Sequence, residues 1–156
     1  MTFYILLNQV TTLFISLNLL TTLSFDSEIQ SYLYGGGKDD IFFQVTNNNK
    51  TLVLKPQRSS GFSNLMIVTK RRKYYFKVDY DQTNPHEFIE VRDGVINHAY
   101  KNLKEFDDFE IKEGGASLLI VNKKKQEIVI NGVKIERREH FSKGVPLLYD
   151  GKRILN

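Results

Sequence analysis

Apolar and polar residues alternate with a period of two along most of this chain, as in strands that bury one face. Leu13, Ile15 and Leu17 alternate with Phe14, Ser16 and Asn18, and Leu23 and Phe25 with Thr22 and Ser24. Further strands are expected at 29–34, 40–46 and 51–55, the last stopped by Pro56, which has no N–H to give a ladder. The clearest hairpin pairs 64–69 with 73–80: Tyr74, Phe76, Val78 and Tyr80 share one face, and Tyr75, Lys77 and Asp79 the other. Asn47, Asn48 and Asn49 mark a turn, since Asn tolerates positive φ better than most residues. Gly35-Gly36-Gly37 reads as a hairpin turn.

After a strand at 88–91 the spacing changes. Val95, Ile96, Ala99, Tyr100, Leu103 and Phe106 recur at three and four, which predicts a short helix over 95–106 that Asp93 could cap. Strands resume at 109–112, 117–121, 127–130 and 133–136, then at 145–149 and 152–155. Asn131-Gly132 and Asp150-Gly151 are strong hairpin signals between such runs. With 81–85 as the linker, the expectation is an all-β fold with one short helix in its C-terminal half. A β-sandwich would occupy 1–81, and a smaller β-rich unit carrying the helix would occupy 87–156.

Composition narrows this only a little. A chain of 156 residues with 41% hydrophobic and 26% charged residues can form a packed core without staples. There is no cysteine, which excludes disulfides and thiolate metal sites. The formal net charge of +4 is a mild excess, compatible with an anionic partner and equally with a solubility role. Residues 3–20 are apolar in part, but they carry neither a basic leader nor a small-x-small cleavage site, and Asn8, Gln9, Thr11 and Thr12 interrupt them. They are expected to be strand, not export signal or membrane anchor.

Candidate chemistry is sparse. His86, His98 and His140 show no metal-ligand spacing, and isolated histidines usually sit on loops or surfaces. No serine lies in a G-x-S-x-G elbow. Gly35-Gly36-Gly37-Lys38 lacks the spacing and the Ser/Thr of a phosphate loop, and Asp39-Asp40 would repel phosphate there. Asp39-Asp40 and Asp107-Asp108 are adjacent, and neighbours in a strand point to opposite faces, so neither pair forms a dyad by adjacency. The reading is of a non-enzyme with no catalytic, metal or cofactor-binding residue and no small-molecule substrate.

The most suggestive feature is basic. Lys70, Arg71, Arg72 and Lys73 run into Tyr74 and Tyr75, with Lys123–Lys125 and Arg137-Arg138 further on. Cations beside aromatic rings suit single-stranded nucleic acid, whose bases stack while its phosphates meet the cations. The competing reading is that charges at hairpin turns keep strand ends from pairing with other chains.

At this hairpin the residues resemble a known family. Residues 62–76, FSNLMIVTKRRKYYF, are similar to the S-N-L-x-V-x-T-x-R-R-x-Y-x-F hairpin of the TrbG/CagX-like conjugal transfer proteins. Residues 21–29, TTLSFDSEI, resemble the family's T-x-L-x-F-x-x-x-I strand, and 52–56, LVLKP, its L-x-L-K-P strand. Order and spacing agree over 20–80; residues after Asp81 do not align. The resemblance implies an N-terminal β-sandwich and a structural subunit of the outer-membrane core complex of a type IV secretion system. Such a subunit would be periplasmic or outer-membrane associated. It would assemble in a ring with copies of itself, a lipoprotein and a TonB-like inner-membrane-spanning subunit. The alternative is a single-stranded nucleic-acid-binding β-barrel module using Lys70, Arg71, Arg72, Lys73, Tyr74 and Tyr75, with nucleic acid the less expected partner.

Overall fold

A computed structural model describes all 156 residues. The protein is all-β. Its strands are β1 (Thr2–Ile5), β2 (Val10–Ile15), β3 (Thr21–Phe25), β4 (Ile29–Tyr34), β5 (Ile41–Thr46), β6 (Thr51–Pro56), β7 (Ser63–Thr69), β8 (Lys73–Tyr80) and β9 (Phe88–Asp93). They continue with β10 (Lys101–Glu105), β11 (Phe109–Glu113), β12 (Leu118–Asn122), β13 (Ile128–Ile130), β14 (Val133–Ile135), β15 (Arg138–Phe141), β16 (Leu147–Tyr149) and β17 (Lys152–Leu155).

The chain divides into two compact units. The first is Met1–Thr2 with Val10–Arg92, and the second is Phe3–Gln9 with Asp93–Asn156. Two segments thus lie away from where a cut at 81–85 puts them. Residues 88–92 stay with the first unit because β9 runs parallel to β3, with Leu23 opposite Ile89. Phe3–Gln9 goes with the second, where Tyr4 and Lys143 exchange both backbone hydrogen bonds at 2.8 and 2.9 Å.

In the first unit one sheet runs β2-β8-β7-β4 and the other includes β9-β3-β6-β5. Period-two alternation decides which residues go inside. Leu65, Ile67, Tyr74, Phe76 and Val78 of the β7–β8 hairpin are buried, as are Leu23, Phe25, Leu52, Leu54 and Ile89 of the other sheet. Rings meet between the sheets, Phe25 with Tyr74 at 5.2 Å and Phe43 with Tyr32 at 5.1 Å. Fully burying each large apolar side chain contributes about 1.5–3 kcal/mol, so these faces fix the register against one-residue slips.

The glycine run is not a hairpin turn. β4 pairs with β7 and β5 pairs with β6, so residues 35–40 carry the chain from one sheet to the other. Asp40 holds this crossing, its Oδ2 accepting from the Gly37 amide at 2.8 Å.

The second unit has two four-stranded sheets, β10-β11-β12-β15 and β14-β13-β16-β17. Phe109, Ile111, Ile120, Ile128, Ile130, Ile135, Phe141 and Leu147 are buried in it. Asn131 and Gly132 close the β13–β14 hairpin with φ of 52° and 76°, and Asp150 and Gly151 close β16–β17 with 54° and 74°. Positive φ at both turn positions matches the twist of the flanking strands.

The helix expected over 95–106 is absent. Val95 bridges to Ala116, Asn97 Oδ1 caps a turn at the Ala99 amide at 3.2 Å, and residues 101–105 form an edge strand on β11. Every residue of that strand is exposed, and so are Val95 and Ile96. The apolar spacing therefore marks no buried stripe, and a helix this short needs one to persist. The backbone groups are satisfied by β11 instead, with an irregularity between Asn102 and Lys104 that takes up Leu103.

Candidate functional site

Thr69 builds the basic turn. Its hydroxyl donates to Arg72 O at 2.9 Å and accepts from the amides of Arg71 and Arg72 at 3.3 and 3.2 Å. The turn places Lys70 3.0 Å from Glu28 and Arg71 3.0 Å from Asp26. The Arg72 guanidinium lies 4.3 Å over the ring of Tyr74, which is 2% exposed. The six residues singled out from sequence are thus divided. Lys70 and Arg71 face carboxylates, Tyr74 is core, and Lys73 and the outward-facing Tyr75 remain exposed. Only one of the two tyrosines offers a ring to a stacking partner.

Tyr75 belongs to a different constellation. It pairs with Val10 of β2 on one side and Met66 of β7 on the other, and Met66 pairs with Leu33 of β4. Val10, Tyr75, Met66 and Leu33 therefore form one in-register row across all four strands. With strands roughly 4.8 Å apart the row is about 14 Å long. Val10 is 52% exposed, Tyr75 44% and Leu33 64%. Paired side chains at such positions touch, so this is a continuous apolar strip and not scattered surface residues.

Beside the strip is a cavity of about 380 Å³, which Asn64 and Lys77 also line. Gly35 packs directly on Asn64 in its wall. A Cβ there would run into the Asn64 side chain, and the Gly35 amide bonds Asn64 O at 2.9 Å. Lys77 reaches over the exposed ring of Phe62 at 4.6 Å. Lys73 and Lys77 stand two positions either side of Tyr75 and face the same way, while the lining contains no carboxylate. On the opposite face of these strands, burial pushes the Tyr34 and Tyr80 phenols above their ordinary range, opposed by the hydroxyl of Ser60 and reinforced by the charge of Asp40. Tyr34 packs there against Phe43, with ring centroids 5.5 Å apart, and the Tyr80 hydroxyl donates to Arg58 O at 2.9 Å, so neither phenol belongs to the strip.

The histidines separate by environment. His86 is 3% exposed and accepts the Phe14 amide on Nδ1 at 3.0 Å, a structural role that sequence reading did not find. His140 shares a hydrogen bond with Tyr100 at 2.9 Å, and Tyr100 another with buried Ser117 at 2.8 Å. His98 is exposed. No three His, Asp or Glu side chains come together as a metal-holding group.

No family model matches this sequence, and no curated protein matches it.

Proposed function

We propose that this protein is a structural subunit of a type IV secretion or conjugation channel in the bacterial cell envelope, acting through protein–protein assembly and not through chemistry. The observation that carries the reading is the apolar row Val10–Tyr75–Met66–Leu33 on the outer face of one sheet. An exposed strip of this kind, rimmed by cations, is what an assembly contact needs: apolar area at the centre and charge at the edge to set orientation. The segments that resemble the TrbG/CagX-like proteins fall on β3, β6 and the β7–β8 hairpin, the same hairpin that supplies the centre of the row. We read the two sheets of the first unit as the β-sandwich which that resemblance implies. Copies of the chain, joined head to tail through this face, would close a ring. A lipoprotein and an inner-membrane-spanning subunit would be the other partners, and the periplasm or outer membrane the location.

The nucleic-acid alternative draws less support from the hairpin, because Lys70 and Arg71 face Glu28 and Asp26, and Tyr74 is buried. The experiment is to extract the tagged protein gently from its host's envelope and measure particle size, alongside Leu33→Asp and Tyr75→Asp variants. Recovery in a megadalton particle with other envelope proteins, lost in both variants, is the expected result. A free monomer from wild type would overturn the assignment.

A further inference from the structure

A second site lies in the second unit and is made of charge. A cavity of about 780 Å³ is lined by Lys124, Lys125, Arg137 and Arg138, with Glu136 the only carboxylate. Five hydrogen bonds of Asn122 hold the two cation-bearing segments in place. Its side-chain nitrogen donates to the carbonyls of Gln126, Ile135 and Glu136 at 2.8, 3.1 and 3.0 Å. Its Oδ1 accepts the Lys124 amide at 2.8 Å, and its own amide donates to Arg137 O at 2.8 Å. The cations are therefore carried on backbone that is fixed before any ligand arrives.

Nearby acids leave most of this charge uncompensated. Lys123, outside the lining, is engaged by Glu105 at 2.6 Å and by Phe106 O at 2.7 Å. Lys124 is 4.0 Å from Asp108, a long contact. Lys125, Arg137 and Arg138 have no ion-pair partner. Like charges lining one cavity repel, and an anion bound among them relieves that repulsion. Guanidinium groups favour oxyanions that accept two parallel N–H bonds.

The lining also says what is not read. It contains no aromatic ring, so the ring–base stack on which single-strand binders rely is missing and the four cations are left to meet phosphate oxygens. Val121 is its only apolar side chain, so no wedge enters a bilayer, and a recess meets a chain that enters it better than a flat headgroup surface.

We propose that this cavity binds consecutive phosphate groups, as found in the backbone of a nucleic-acid strand or in linear polyphosphate, through their oxygens alone. The site is separate from the basic hairpin and does not depend on the secretion reading.

The test uses the full chain at low and moderate salt. The probes are a fluorescent oligo-dT, the same strand made abasic, linear tripolyphosphate, and phosphatidylglycerol–phosphatidylcholine vesicles. The expected result is equal affinity for the two strands, with tripolyphosphate competing. Binding of tripolyphosphate without the strands supports the site and names free polyphosphate as its source. Replacing Lys125, Arg137 and Arg138 together by Gln should weaken binding at least tenfold and lower the salt slope by about 2. Glu136→Gln, which removes the only acid of the lining, should tighten binding, a gain that misfolding cannot imitate. Lys70→Gln with Lys73→Gln should leave it unchanged. Wild-type affinity in the triple variant, preference for the strand with bases, or binding to vesicles alone would each overturn the proposal.

Discussion

His86 and Phe14 are joined three ways: the His86 Nδ1 accepts the Phe14 amide at 3.0 Å, the His86 amide donates to Phe14 O at 2.8 Å, and the rings lie 5.9 Å apart. The carbonyl of His86 also accepts the Thr21 hydroxyl at 2.7 Å. The chain leaving β8 is thereby fastened to β2 and β3 before β9 begins. His86→Ala would leave a buried amide without its acceptor and open a small void. The expected cost is roughly 2–3 kcal/mol, read as a lower urea midpoint at unchanged slope. His86→Asn, which can place an oxygen near the same amide, should recover part of it. Equal midpoints for wild type and His86→Ala would remove the role assigned to this contact.

That contact also marks the limit of what the sequence discloses. Where a local rule decides the structure, the reading of the chain agrees with it. Asn131-Gly132 and Asp150-Gly151 turn because two adjacent residues must take positive φ. Tyr74 goes in and Tyr75 out because the period is two. Where the partner lies far along the chain, local rules are silent or misleading. His86 becomes core only because Phe14, 72 residues away, presents the amide that its Nδ1 accepts. Residues 95–106 have helical spacing, yet the backbone bonds of 101–105 are made by β11. The glycine run looks like a hairpin until the pairing of β4 with β7 sends it between sheets. The apolar row was hidden for the same reason. Val10, Leu33, Met66 and Tyr75 come from four strands, and only the register aligns them.

The row makes a sharp contrast within one strand. Tyr75 faces solvent and Phe76 is buried, one residue apart on β8. Tyr75→Ala should change stability by no more than about 0.5 kcal/mol, while Phe76→Ala should cost about 3–5 kcal/mol. Chemical denaturation of the two variants decides it. A large loss of stability from Tyr75→Ala would mean that this ring serves the fold, and would weaken the case for it as a contact surface.

Gly132 has φ of 76° and open space where a Cβ would sit, so conformation alone sets the cost of a side chain there. Gly132→Ala should destabilise by about 1–2 kcal/mol, and a β-branched residue by more. Gly132→Asn should cost less, because Asn accepts this region. Thermal unfolding of the three variants gives the order. An Ala variant as stable as wild type would show that the β13–β14 hairpin relaxes into another turn.

Tyr149 supplies the pH dependence. Its hydroxyl donates to Asp108 Oδ2 at 2.7 Å. That bond to the carboxylate, aided by desolvation and by the charges of Asp108 and Asp150, raises the phenol from 10.0 to about 12. The folded state favours the neutral phenol. The stability it contributes is therefore whole below pH 10 and is lost as pH rises through 12. Ultraviolet titration of tyrosinate in wild type and Tyr149→Phe should differ by one late component, distinct from the raised phenols of Tyr34 and Tyr80, which both proteins keep. Asp108→Asn keeps an acceptor but removes the charge, so the late component should move back toward 10. If the Asp108→Asn curve superimposes on wild type, the carboxylate does not set this titration, and the link between the start of β11 and the β16–β17 hairpin is weaker than its length suggests.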